Sequence, residues 1–156
     1  MNALSIDSPA PDFDLPCNNG ERISLAKLKN SKVVLYFYPK DDTSGCTMEA
    51  INFTALKNEF QKAEATIIGI SPDSVTSHEK FCKKHNLSIL LASDEEKTVV
   101  KAYGVWKERS MYGKKFMGVE RTTFLIDKNG ILRKIWENVK VPGHTQAVLE
   151  AVKSLQ

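Results

Sequence analysis

Lys32 to Pro39 reads KVVLYFYP, an unbroken β-branched and aromatic run that stops on a proline. Such a run has no polar face to give to solvent, so it fits only a strand covered on both sides, as in the sheet of an α/β protein. A second run of this kind is Ala65 to Ile70, and a weaker one is Ser88 to Ala92. Each is followed by polar capping residues and then a helix-like stretch, which predicts strand–helix alternation and mainly parallel pairing. The expected class is α/β.

The first helix is predicted over Cys46 to Lys62, with Phe53, Leu56 and Phe60 along its buried stripe. The second starts at Asp73 or Ser74 and stops at Asn86, carrying Val75, His78, Phe81, Cys82 and His85 on one side. Ser93 or Asp94 caps a short third helix ending at Gly104. Beyond it, Thr122 to Asp127 and Ile131 to Trp136 read as strands joined by Lys128-Asn129-Gly130, and Asn-Gly is a strong hairpin signal. A last helix covers Thr145 to Leu155. No repeat or linker interrupts the 156 residues, so one domain over 1–156 is expected.

Residues 1 to 100 carry 11 basic and 14 acidic side chains, and residues 101 to 156 carry 11 basic and 5 acidic. The dense part, from Lys101 to Arg121, is interleaved with Glu108 and Glu120 and reads as a solvated basic face, not a nucleic-acid arm. No apolar run is long enough to span a membrane, and Met1 to Pro11 has neither the basic start nor the apolar stretch of a secretory signal. The cytoplasm is the expected compartment. Three cysteines, at 17, 46 and 82, are too few for a disulfide framework, and no Cys-x-x-Cys occurs. Any role they have lies in reactive sulfur.

Cys46 stands out because Tyr38 to Thr47, YPKDDTSGCT, lies where a buried strand hands over to a helix. Unpaired N–H groups and the helix dipole favour an anion in that first turn, so a thiolate at neutral pH is expected there. The polar turn at a strand's C-terminal end is also where α/β sheets place ligands.

Pro39-x-x-x-Thr43-x-x-Cys46 resembles the active-site signature of peroxiredoxins. With YGKKFMGVERTTFLID and KVPGH further on, the chain from about Ala10 onward is similar to their bacterioferritin comigratory protein / peroxiredoxin Q branch. The resemblance implies a thioredoxin-like fold, with a central mixed sheet flanked by helices and an N-terminal β extension. It implies a thiol peroxidase in which Cys46 attacks hydrogen peroxide or an organic hydroperoxide and becomes a sulfenic acid. No cofactor or metal is needed. By the same resemblance Thr43 hydrogen-bonds peroxide and sulfur, Pro39 shields the pocket, and Arg121 stabilises thiolate and leaving oxygen. Glu49 falls on a position that supports the arginine.

Many members of that branch place a resolving cysteine five residues after the first, but here that position is Ile51. The resemblance then points to Cys82, as in the subgroup whose resolving thiol lies on the next helix, with thioredoxin as reductant and a monomer as the working unit. A disulfide needs Cα atoms within about 7 Å, so one or both helices are expected to unwind locally. A one-Cys cycle and resolution by Cys17 stay open. Ser44 stands where the branch usually has proline; Ser can cap instead, in a turn that opens more easily. A rival of another class is a metal-binding module using His78, Cys82 and His85 at i, i+4 and i+7. A thioredoxin-type dithiol is disfavoured by Glu49, which stands where its second cysteine belongs.

Overall fold

The computed structural model describes residues 4–155; Met1 to Ala3 of the N-terminal stretch and Gln156, the end of the expected domain, lie outside them. The chain runs through β1 (Asp14–Pro16), β2 (Arg22–Ser24), β3 (Lys32–Phe37), α1 (Ser44–Ala55), α2 (Lys57–Lys62), β4 (Ala65–Ser71), α3 (Val75–His85) and β5 (Leu90–Ser93). It continues through α4 (Thr98–Ala102), β6 (Trp106–Met111), β7 (Lys114–Val119), β8 (Thr122–Ile126), β9 (Leu132–Trp136) and α5 (His144–Ser154).

The main sheet has the order β5-β4-β3-β8-β9, parallel from β5 to β3 and antiparallel from β3 to β9. This is the expected mixed sheet of a thioredoxin-like fold, and β1–β2 is the expected N-terminal extension. All six residues of β3 are buried. Val33, Leu35 and Phe37 join one core layer with Phe13, Leu15 and Tyr103. Val34, Tyr36 and Tyr38 join the other with Phe53, Phe60, Phe81 and Leu149. Among the described residues no helix is long and apolar enough to cross a membrane.

Several expectations shift. The helix expected over Cys46 to Lys62 starts at Ser44 and breaks at Leu56. Neither Gly nor Pro marks the break; the Leu56 amide is shared between the Asn52 and Phe53 carbonyls, which tightens the turn and ends the α-helical ladder. The short helix near Asp94 starts only at Thr98, because Asp94 acts from outside it, accepting the Val100 amide at 2.8 Å. The third strand is Leu90–Ser93, two residues later than expected at its start. The basic stretch 101–121 holds a hairpin, β6–β7, that the periodicity did not reveal. Its two-residue turn, Tyr112-Gly113, has both φ positive, as a tight hairpin turn demands. Nearly all of its side chains are exposed or half-buried, so no apolar alternation betrays it.

Gly69 of β4 shows how closely the layer around α1 is packed: a Cβ there would lie 2.7 Å from Tyr36 Cζ and 2.8 Å from Leu91 Cδ2. Gly69→Ala is therefore expected to lower stability by about 1–3 kcal/mol, read from denaturant midpoints at unchanged m-value.

Candidate active site

Antiparallel register places Phe37, the last residue of β3, opposite Thr122, the first of β8. The residues just outside this pair, Tyr38-Pro39 on one strand and Arg121 on the other, therefore meet at one end of the sheet. The loop after Pro39 turns through Asp42, whose φ is +62°, and enters α1 with Thr43 as N-cap. Cys46 occupies the third helical position and is 1% exposed.

Arg121 connects this turn to the next. Its Nη2 donates to Cys46 Sγ at 3.3 Å and its Nη1 donates to Glu49 Oε1 at 2.6 Å. Gly45 leaves room for the guanidinium: a Cβ there would sit 3.1 Å from Nη2. Burial pushes the Glu49 carboxyl up to about 7, with Arg121 only partly offsetting it. Burial would lower the Arg121 guanidinium, but the negative Cys46 and Glu49 beside it outweigh that and raise it. The arrangement is a sulfur at a helix N-terminus facing a fixed cation, which favours negative charge on sulfur and on an oxygen placed beside it.

Thr43 is exposed and does not cap α1 with its side chain; its hydroxyl donates to the Lys40 carbonyl at 2.9 Å. Ser44, expected to cap in place of proline, lies one place inside the helix, so it cannot reach the first-turn amides as an N-cap does. Pro39 is half-buried beside the loop. Cys82, on α3, is half-buried in the same layer as Cys46, and its Sγ accepts from Asn18 Nδ2 at 3.1 Å. Burial pushes that thiol up to about 11. Cys17, equally raised by burial, sits in the opposite core layer. All three thiols are free.

His78, Cys82 and His85 do not converge on a common point. His78 lies between the Asp41 carboxylate (Nδ1 to Oδ2, 2.7 Å) and the Ala92 carbonyl (Nε2 to O, 3.0 Å), while His85 Nε2 meets Asp42 Oδ1 at 2.8 Å. With Cys82 held by Asn18, each of the three has its own partner. Sequence pattern does not reveal the polar cluster of buried Asp41 and His78 with half-buried Ser77, nor buried His144. His144 is pushed down to about 4 by burial and then by the charge of Arg121, and so is neutral; it hydrogen-bonds Thr123 Oγ1 at 2.8 Å and packs edge-on against Phe53 and Trp136. The paired aspartates and the KVPGH segment were visible signals, but their partners are far along the chain.

The AhpC/TSA family pattern matches residues 6–135. The chain belongs to that family. It is 46% identical over 152 residues to peroxiredoxin Bcp of Bacillus subtilis (strain 168), covering 97% of each, and 37% identical to peroxiredoxin Bcp of Escherichia coli (strain K12), covering 98% of each. Peroxiredoxin Q of Xanthomonas campestris superposes with a TM-score of 0.87 at 44% identity, over 91% of this chain and 90% of that one. A cysteine-to-serine mutant of PrxQ from Xylella fastidiosa gives 0.93 at 36% identity, over 99% and 98%. Two further Xanthomonas structures are single cysteine-to-serine mutants at positions 36 residues apart. The family member described here has the peroxidase activity of a peroxiredoxin.

The Glu49 carboxyl supplies a test of the site's electrostatics. With a folded pKa of about 7 against an ordinary 4.5, it keeps its proton through a window in which the unfolded chain has lost it. Its contribution to stability therefore falls as pH rises through that window, by at most about 1.4 kcal/mol per pH unit. The melting temperature of Glu49→Gln minus that of the wild type is expected to rise from pH 4.5 to 7. A flat or falling difference would contradict the burial argument; His144, which titrates in the opposite sense, is common to both proteins.

Proposed function

We propose that Cys46 is the peroxidatic nucleophile of a cycle resolved by Cys82. The observation that carries the reading is the Arg121 guanidinium set between Cys46 Sγ and Glu49 at the start of α1. The thiolate attacks the distal oxygen of hydrogen peroxide or an organic hydroperoxide. An S–O bond forms and the O–O bond breaks; the leaving oxygen takes a proton and departs as water or alcohol. Cys46 is oxidised to the sulfenic acid by two electrons, and the peroxide is reduced by the same two.

Arg121 stabilises the charge on sulfur and on the leaving oxygen, while Glu49 keeps the guanidinium in plane with both. The Thr43 hydroxyl, on the exposed lip of the turn, orients the peroxide, and Pro39 covers the sulfur from water. The Xanthomonas campestris relative is described as having alkyl peroxide reduction activity, which supports the organic hydroperoxide part of the range.

Resolution follows when the Cys82 sulfur attacks the sulfenic sulfur, forming S–S and releasing the oxygen as water. The spacing of Cys46 and Cys82 equals that of the two cysteines mutated in the Xanthomonas relative. A thiol at about 11 is ionised to only about one part in ten thousand at neutral pH, so Cys82 must leave its buried setting to react. That requires the first turns of α1, or α3, to unwind. A one-Cys cycle remains the alternative outcome; Cys17, across the sheet, is disfavoured as the resolving thiol. A thioredoxin-type dithiol restores the enzyme, a cycle suited to the cytoplasm and to antioxidant defence. One chain supplies every side chain of the site, so one domain working as a monomer suffices.

Thioredoxin-coupled kinetics with peptide mapping test the cycle. Cys46→Ser is expected to abolish turnover, and Cys82→Ser to form the sulfenic acid once and then stall. Undiminished turnover in Cys82→Ser, or no Cys46–Cys82 disulfide after one equivalent of peroxide, would overturn the resolving assignment. Gly45→Ala should slow sulfenic acid formation several-fold by pushing Arg121 Nη2 a few tenths of an ångström off the sulfur, with little change in thermal stability.

A further inference from the structure

We infer that Asp41 and Asp42 form a two-point latch that holds α3 against the Cys46 turn, and that release of this latch sets the rate of Cys46–Cys82 disulfide formation. The inference rests on the reading of Cys82 as the resolving thiol and adds the residues that control when it becomes available.

Asp41 makes the inner point. Its side chain is buried; Oδ1 accepts from the Tyr38 hydroxyl at 2.6 Å, and Oδ2 accepts from the Ser77 hydroxyl at 2.7 Å and faces His78 Nδ1 at 2.7 Å. Its amide donates to Asp73 Oδ2 at 2.8 Å, and that same oxygen accepts from the Ser71 hydroxyl at 2.7 Å. Ser77 and His78 lie in the first turn of α3, so the loop that leads into Cys46 and the start of the resolving helix share one carboxylate.

Asp42 makes the outer point. Its positive φ turns the carboxylate the other way, to the last turn of α3, where Oδ2 accepts from Lys84 Nζ at 2.6 Å and Oδ1 meets His85 Nε2 at 2.8 Å. These hydrogen bonds hold the Asp42 carboxyl below its ordinary range. Cys82 falls between the two points, four residues after His78 and three before His85.

The latch matters because the rest of the docking of α3 is sparse: Phe81 and half-buried Cys82 in the core layer, the Asn18 contact to Cys82 and the His78 contact to the Ala92 carbonyl. His78 and Phe81 are its only fully buried residues, and an open groove of about 380 Å³ lined by Asp41, Asp42, Ser77, Phe81 and Lys84 runs between loop and helix. A helix docked by so little apolar surface opens more readily when its polar contacts are weakened. The inner point is buried and costly to break, whereas the outer one is exposed and screened by salt. A latched enzyme keeps its sulfenic acid longer, and a second peroxide then has time to convert it to sulfinic acid.

Rapid mixing with hydrogen peroxide, followed by quench and mass analysis of sulfenic acid, disulfide and sulfinic acid, separates the steps. Asp42→Asn keeps shape and lies on the surface; it is expected to speed disulfide formation about threefold, the scale of an exposed ion pair. Ser77→Ala, which removes a half-buried bond to a carboxylate, should speed it about tenfold. Sulfenic acid formation in Asp42→Asn should stay within about twofold of wild type, and less sulfinic acid should accumulate at excess peroxide. Lys84→Met, which leaves the His85 contact to Asp42, should speed disulfide formation less than Asp42→Asn does, and the double variant should add little to Asp42→Asn. Wild-type rates of disulfide formation in both Asp42→Asn and Ser77→Ala would overturn the latch while leaving the resolving role of Cys82 intact. Absence of a Cys46–Cys82 disulfide in the wild type would overturn both.

Discussion

The site depends on a guanidinium that is held away from water by the residues it serves. Arg121 lies at the N-terminal end of β8, and the antiparallel register with β3 brings it to the end of the sheet from which α1 departs. Taking an arginine and a glutamate out of water is expensive, and only close pairing offsets it; removing either partner leaves an uncompensated buried charge. The 2.6 Å contact to Glu49 and the 3.3 Å contact to Cys46 Sγ are that pairing. One oxygen of Glu49, Oε2, is left without a hydrogen-bond partner among the described residues, and it accompanies a carboxyl whose ionisation is pushed toward neutrality. The lock between β8 and α1 is thus firm in position and costly in desolvation.

The three thiols divide by environment more than by sequence. Cys17 and Cys82 are both raised by burial; Cys17 lies in the layer away from the site, and Cys82 meets only the neutral amide of Asn18. Cys46 alone has a cation in hydrogen-bond contact and a helix N-terminus behind it. The proposed cycle, with one attacking sulfur and one held in reserve, requires this kind of asymmetry, and burial and Arg121 create it.

Strong local periodicity made much of the architecture readable: the all-buried β3, the Asn-Gly connection between β8 and β9, Ser74 and Asn86 as the two caps of α3. Residue types in a short motif placed Cys46, Thr43 and Pro39 on one turn. What could not be read from local pattern was long-range or lacked a core-facing side. The contact between Arg121 and Glu49 spans 72 residues and follows from strand register; only family likeness marked both in advance. The Asp41 cluster joins three segments whose polar residues look like ordinary loop composition until the fold buries them. The β6–β7 hairpin escaped because a ribbon exposed on both faces has no alternation to display.

On the proposed cycle the same turn must be rigid for attack and loose for resolution, and the distribution of interactions is compatible with both. The core layer on the far side of the sheet takes no residue from α1 or α3, so local opening there disturbs only the layer that Cys46 and Phe81 join. At α1 there is no side-chain N-cap, a glycine at the second position, and a serine at the first where proline would have fixed the backbone. Beside the contacts of Asp41 and Asp42, what holds that turn is the contact between Arg121 and the Cys46 sulfur. On the proposed cycle, oxidation replaces a negative sulfur with a neutral sulfenic acid, so the reaction itself weakens the contact that kept the turn wound. The cation that prepares Cys46 for attack thereby loses its hold once the attack has happened, and the order of the two steps follows from electrostatics in the same few ångströms.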